Sequence, residues 1–338
     1  MTSLSFDVFE MLSLSALGAI VPVLLFGLVA IPLLRRYCAA PLNSDSETLN
    51  RLHSHKATTP TMGGLFVVSG LSLPLAVFSL RDLGYFGPAL LLLFGLAVVG
   101  TLDDSLKVLH GGKGMSARGK LAGQIVIALL VTTLFYAFRL RAGDAQAPLL
   151  LPWREAGIPL GIWFVPWAAL VIVASSNAVN LTDGLDGLAS GCLLFAAAGM
   201  GAAACAARHV APTPNAVPGL QLAGALAGAA AGFLVFNRHP AKVFLGDAGS
   251  LPLGGLLGYL AVTIQREAAL LVIGGVFVAE TLSVILQVLA YRASGKRLFR
   301  CAPLHHHFRF GGWSEETTVR WFWGTSIVCA AAGVAMAW

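Results

Sequence analysis

Charge is scarce in this sequence. Only 11% of its 338 residues are Asp, Glu, Lys or Arg, while 57% are hydrophobic; ordinary soluble domains carry roughly a quarter charged residues. With a mean hydropathy of +0.79, such a chain cannot clothe itself for water, which excludes a soluble globular protein. No basic stretch interleaved with aromatics is present, so nucleic acid is not expected as a partner. The five cysteines, Cys38, Cys192, Cys205, Cys301 and Cys329, are odd in number and lack metal spacing. They read as packing residues rather than as a disulfide framework or a zinc site. There is no short-period repeat and no stretch that reads as a soluble domain.

Long apolar runs take the place of charge. Runs near the roughly 20 residues that cross a bilayer as a helix recur at 14–37, 62–80, 86–102, 120–138, 160–180, 187–206, 217–236, 249–264, 268–290 and 318–337. The expectation is an all-α polytopic membrane protein of about ten transmembrane helices, forming a single integral membrane domain over residues 1–338. The stretch before residue 14 is short and carries Asp7 and Glu10, so the first run reads as a retained span rather than a cleaved signal. Gly- and Ala-rich runs such as AGALAGAAAG (223–232) suit close helix packing.

The basic residues give an orientation. If the connections are numbered from the first span, the odd ones hold sixteen Lys and Arg and the even ones six. Cytoplasmic loops are enriched in these residues, which puts the odd connections in the cytoplasm and both termini outside, in the periplasm. The net charge of +6 is then gathered on one face, where anionic lipid and anionic substrates can meet it.

The polar motifs fall on that same face. They are HSHKATTPTMGG (53–64), LDDSLK (102–107), NAVNLTDGLDG (177–187), NRHPAKVFLGDAGS (237–250) and APLHHHF (302–308). A transporter would concentrate such groups near the bilayer midplane; here they gather at the cytoplasmic edge, as an interfacial active site would. Asn177, Asn180, Asp183 and Asp186 recur every three residues, a spacing that sweeps about half of a helix circumference. They address one point only if the helix breaks, and Gly184 and Gly187 supply the break. Asn177 and Asn180 are therefore expected on the last helical turn and Asp183 and Asp186 in a short loop.

Asp103 and Asp104 are adjacent carboxylates at the end of a span and need a counter-ion, either a divalent metal or Lys107. Asp247 stands between glycines, just before a helix whose N-terminus favours phosphate. Carboxylates together with substrate phosphates suit a hard cation such as Mg2+. His305, His306 and His307 lie near Lys296, Arg297 and Arg300 and read as donors to phosphate. Glu280 lies deep in the ninth span, seven residues before Gln287, and is costly there without a role or a partner; the sequence names neither.

TPTMGG, LDDSLK, NAVNLTDGLDGLA, VFLGDAGSLPLGG, VFVAETLSVILQV and APLHHHF, in that order, resemble the phospho-N-acetylmuramoyl-pentapeptide transferase family. That family lies within the polyprenyl-phosphate N-acetylhexosamine-1-phosphate transferases (glycosyltransferase family 4). The likeness runs from about residue 53 to 323, and the triple histidine points to the muramoyl branch. Thr58, Ala248 and Arg309 depart from the usual Gly, Thr and acidic residue.

The resemblance implies an enzyme of the bacterial inner membrane that moves phospho-MurNAc-pentapeptide from UDP-MurNAc-pentapeptide to undecaprenyl phosphate, releasing UMP and forming lipid I on the cytoplasmic face. It implies Asp247 as the Mg2+ ligand and Asp103, supported by Asp104, as the group that meets the lipid phosphate. Direct attack and a covalent aspartyl route are both compatible with it. Lys56, Asp183, Gly184, Leu185, Asp186, Asn237 and Phe244 match positions around the uridine, with Phe244 suited to stack on uracil. Asn177, Asn180, Lys120 and the three histidines match positions near the diphosphate or sugar, and Thr61 joins the substrate contacts. The prenyl tail would lie in a groove beside an interrupted ninth span, and a homodimer is compatible with the family. The alternatives are a sister transferase using UDP-GlcNAc and an inner-membrane lipid transporter.

Overall fold

Helices dominate the computed structural model, which describes residues 2–38, 59–151, 154–209 and 215–337. In chain order they are α1 (Thr2–Tyr37), α2 (Gly64–Ser79), α3 (Leu83–Leu109), α4 (Ala117–Arg141), α5 (Phe164–Thr182), α6 (Leu188–His209), α7 (Ala216–Asn237), α8 (Asp247–Thr263), α9 (Glu267–Ile273), α10 (Gly275–Ser294), α11 (Leu304–Phe310) and α12 (Glu315–Ala337). Local chemistry starts several of them. The Asp82 carboxylate accepts from Tyr85 N–H ahead of α3, and Ser116 Oγ accepts from Gly119 N–H ahead of α4, each meeting a donor that the first turn leaves unpaired.

Eight of the ten expected spans are helices long and apolar enough to cross a membrane. The protein is a multi-pass, all-α membrane protein. The other two expected spans, α2 and α8, have 16 and 17 residues, or about 24–26 Å at 1.5 Å per residue, short of a hydrocarbon core of about 30 Å. All of α8 is buried, so protein rather than lipid surrounds it. The connection after α4 holds a small antiparallel hairpin of β1 (Pro148–Leu151) and β2 (Arg154–Pro159), with Pro148 opposite Pro159 and Leu149 opposite Ile158.

α8 is the axis of the bundle, and α3 runs antiparallel to it. At one end Tyr259 Oη donates to Tyr85 O at 2.6 Å, and Tyr85 Oη lies 2.9 Å from Thr263 Oγ1. At the other end Ala248 N–H donates to Asp104 Oδ2 at 3.0 Å. Between them, Gly100 allows contact that no side chain would: a Cβ there would fall 2.1 Å from Asp247 O. Two glycines do the same between α2 and α8, since a Cβ on Gly64 would sit 2.0 Å from Gly249 N. These approaches fix where the carboxylates at the ends of α3 and α8 meet.

The ninth span is interrupted as the resemblance implied. It breaks at Gly274 into α9 and α10, and α10 then exposes Leu282, Ile285, Leu286, Val288 and Leu289, an apolar surface suited to lipid.

Candidate active site

The last two turns of α3 carry Asp103, Asp104 and Lys107, and the first residue of α8 is Asp247. The three carboxylates are buried, with ligand oxygens within 4.8 Å of one another. Three negative charges so close repel strongly, and two lysines answer them. Lys107 Nζ lies 2.7 Å from both Asp103 Oδ2 and Asp247 Oδ2 and 3.6 Å from Asp104 Oδ1. Lys120, one turn into α4, reaches Asp247 Oδ2 at 2.6 Å and Asp103 Oδ2 at 3.7 Å. Backbone donors hold one oxygen each of the α3 pair: Met115 N–H binds Asp103 Oδ1 at 2.6 Å, and Ala248 N–H binds Asp104 Oδ2. Gly246, at φ +69, makes the turn into α8 with no room for a side chain, because a Cβ would meet Asp104 Oδ2 at 2.5 Å and Thr61 Oγ1 at 3.0 Å. Thr61 is thereby placed at the cluster.

α5 delivers the asparagines. Asn180 donates through Nδ2 to Asp247 Oδ1 at 2.5 Å and to Ser250 Oγ at 2.8 Å, while its Oδ1 lies 3.4 Å from Lys120 Nζ. Asn177, a turn deeper, donates to Gln124 Oε1 at 2.5 Å and to Val173 O. The helix ends at Thr182, Asp183 follows as its cap, and Gly187 adopts φ +78, so the asparagines are helical and the aspartates lie beyond, as the spacing predicts, with Asn180 on the last turn and Asn177 one turn before it. Burial, then the negative charges of Asp247 and Asp104, push the Asp183 carboxyl up to about 7.

The 183–187 loop touches two further groups. Asp186 Oδ2 accepts from Ala241 N–H at 3.0 Å and lies 3.0 Å from His239 Nδ1; Asp186 N–H donates to Glu315 Oε1 at 2.8 Å. Asn237 Oδ1 accepts from Gly187 N–H and Ser190 Oγ, so both residues fasten the loop to the end of α7. On its other side, Gly184 abuts the ring of His305, with Leu185 buried beside it. His305 is 1% exposed, while His306 and His307 are half-buried; His307 Nδ1 accepts from Arg300 N–H at 3.2 Å. Phe244 is held by backbone bonds to Pro60 and Gly63. Lys56 lies outside the described residues.

Residues 87–265 match the family model described as glycosyl transferase family 4. Over nearly the whole chain the sequence is similar to proteins named phospho-N-acetylmuramoyl-pentapeptide-transferase. That of Moorella thermoacetica is 44% identical, covering 94% of this chain and 95% of the relative. That of Heliobacterium modesticaldum is 43% identical, covering 93% and 94%. That of Desulfitobacterium hafniense is 39% identical, covering 96% and 97%. The chain belongs to the phospho-N-acetylmuramoyl-pentapeptide-transferase family. Every side chain of the aspartate and lysine cluster falls within the matched residues.

Sequence reasoning missed four residues that the structure brings to this candidate site. Gln124 is fully buried against Asn177, and its position four residues after Lys120, one turn along α4, was the available signal. His239 had the signal of lying in NRHPAK, beside Asn237. Glu315 and Trp323, which donates from Nε1 to Gly187 O at 3.0 Å, lie far away in sequence and gave none.

Proposed function

We propose that this protein transfers phospho-MurNAc-pentapeptide from UDP-MurNAc-pentapeptide to undecaprenyl phosphate, releasing UMP and forming lipid I at the cytoplasmic face of the bacterial inner membrane. The observation that carries this reading is the meeting of Asp103, Asp104 and Asp247 with Lys107 and Lys120 at one end of the bundle, in a chain of this family. An apolar cavity of about 330 Å³ opens between α5 and α10, lined by Leu170, Ala174, Ala178, Phe277, Thr281 and Leu282 among others. It is of ligand-pocket size, roughly 300–1,000 Å³, and Ala178 lies one turn before the Asp183 loop. We assign the prenyl tail to it.

The donor set around Asp247 consists of hard carboxylate oxygens, with no Cys or His, which fits Mg2+. Asp247 would be its first ligand, with Asp103 and Asp104 close by. Bound there, the ion would supply Lewis-acid polarisation of the diphosphate. The rest falls to the chain itself. Lys107 and Lys120 offset the repulsion between two anionic reactants. Asp103, anchored through Oδ1 by Met115, keeps Oδ2 on the lysine side and takes the proton of the incoming lipid phosphate, with Asp104 in support. The lipid phosphate oxygen attacks the β-phosphorus, the bond from that phosphorus to the bridging oxygen breaks, and UMP leaves. Asn180 steadies Asp247, and the 183–187 loop with Asn237 and Phe244 receives the nucleoside.

The test is purified protein in detergent with undecaprenyl phosphate and Mg2+, given either UDP-MurNAc-pentapeptide or UDP-GlcNAc, with UMP measured. Release from the muramoyl donor is expected. Release from UDP-GlcNAc alone moves the assignment to a sister transferase, and release from neither overturns the enzyme reading.

A further inference from the structure

One buried acid takes no part in this chemistry. Glu280 on α10 is 0% exposed, and a carboxylate so enclosed is costly unless charge or hydrogen bonds answer it. Its Oε1 accepts from His305 N–H at 3.1 Å and also lies 3.3 Å from Nδ1 of the same residue. His305 is the second residue of α11, a helix whose capping residue Pro303 makes no side-chain bond to it. The amide that Glu280 takes is therefore one that the helix leaves unmet. Two turns along the same face of α10, Gln287 accepts from the N–H groups of Leu298 and Phe299 at 3.0 and 2.8 Å and donates to Phe299 O at 3.1 Å. One face of α10 thus clasps the 298–305 segment at both ends. Beyond His305 lies the nucleoside loop: both ring nitrogens of His305 are buried without a hydrogen bond, Nδ1 standing only at ion-pair distance from Glu280, and a Cβ on Gly184 would fall 2.3 Å from Nε2.

We infer that Glu280 is a positioning residue, which holds His305 through its backbone N–H and keeps Nδ1 facing the carboxylate, so that the far edge of the ring braces Gly184 and sets the Asp183–Asp186 loop. The inference rests on the transferase reading for its consequence in turnover, though not for the tie itself. A carboxylate beside one imidazole nitrogen fixes the tautomer and the ring plane. At 1% exposure His305 acts through the loop rather than by meeting a reactant, which separates it from the more open His306 and His307. The spacing of Glu280 and Gln287 in VFVAETLSVILQV thereby gains a reason: two fastenings for one segment.

Glu280→Gln keeps the volume and an oxygen for His305 N–H but removes the charge that faces Nδ1. Amide hydrogen exchange read by mass spectrometry on the purified full chain follows the tie without turnover. Faster exchange is expected in both 183–188 and 303–310, equally in Glu280→Gln and His305→Gln, with no further rise in the double variant. In the UMP assay the KM for UDP-MurNAc-pentapeptide should rise about tenfold, the lower end of what losing an orienting partner costs, while the KM for undecaprenyl phosphate stays within about twofold; Glu280→Asp should recover part of the loss. Unchanged exchange at 183–188, or losses that multiply in the double variant, would overturn the inference. If Glu280→Gln does not fold, His305→Gln reads the same tie from the other partner. If the wild type releases no UMP, the transferase reading falls and the exchange result still decides the tie.

Discussion

At the scale of single residues, the site depends on carboxylates kept charged in a nearly dry place by two ammonium groups. Lys107 is the pivot, because it bonds to acids from both α3 and α8. Lys107→Gln leaves Asp103, Asp104 and Asp247 with Lys120 as their one ammonium partner among the described residues. Removing one partner of a fully buried pair costs about 3–5 kcal/mol. The Lys107 side chain is 36% exposed, so a loss of roughly 1–3 kcal/mol is expected after solvent screening. Thermal unfolding in detergent with chelator should show that loss, and millimolar Mg2+ should restore more stability to Lys107→Gln than to the wild type. An equal response of the two proteins would remove the cation from the aspartate cluster. Asp247→Asn tests the other side: turnover should fall by at least about 100-fold, the scale on which one transition-state-stabilising group is felt, with the unfolding temperature held. Near-normal UMP release would take Asp247 out of the metal role.

Helices bring these residues together through close backbone approach. Gly100 is the point at which α3 touches the start of α8, and a side chain there meets the Asp247 carbonyl. Gly100→Val should destabilise the fold by about 1–3 kcal/mol or more, as overpacking does. It should also lower kcat, because it pushes Asp103 and Asp104 away from Asp247; a variant with wild-type activity and stability would show that the approach is not needed. The α5–α10 groove has its own test. Ala174 faces the cavity and is exposed within α5, so Ala174→Phe should raise the KM for undecaprenyl phosphate several-fold and leave the KM for the nucleotide donor alone. If both constants move together, the tail lies elsewhere.

The whole molecule gathers the aspartate and lysine cluster at one end of the bundle, and the uneven distribution of Lys and Arg leads us to propose that this end faces the cytoplasm. In a background without the five native cysteines, Lys113→Cys should react with a membrane-impermeant thiol reagent only after cells are opened, whereas Gly143→Cys should react in intact spheroplasts. The reverse pattern would invert the assigned topology. Much of this scale was legible in the sequence, because hydropathy is a local property: eight spans correspond to runs that can be read one after another. The break at Gly274 lies inside the single run 268–290 and was legible only through the family resemblance. α8 was legible as apolar but not as the axis, since nothing in DAGSLPLGGLLGYLAVT tells lipid from protein as its surroundings. At the site, the order of Asn177, Asn180, Asp183 and Asp186 could be read because glycines mark where the helix must stop. Glu315 and Gln124 could not, being single polar residues whose partners lie 129 and 53 positions away.

The sequence by itself determined the membrane class, eight of the spans and the segments that carry chemistry. Each of these follows from the transfer free energy of a short stretch or from residue types within a few positions. Only the tertiary structure decided that Lys107 joins Asp103 to Asp247, that Asp186 is fastened by His239 and Glu315, and that Glu280 belongs to His305. Such pairings depend on how near two helices can come, and that distance is set jointly by small residues on both.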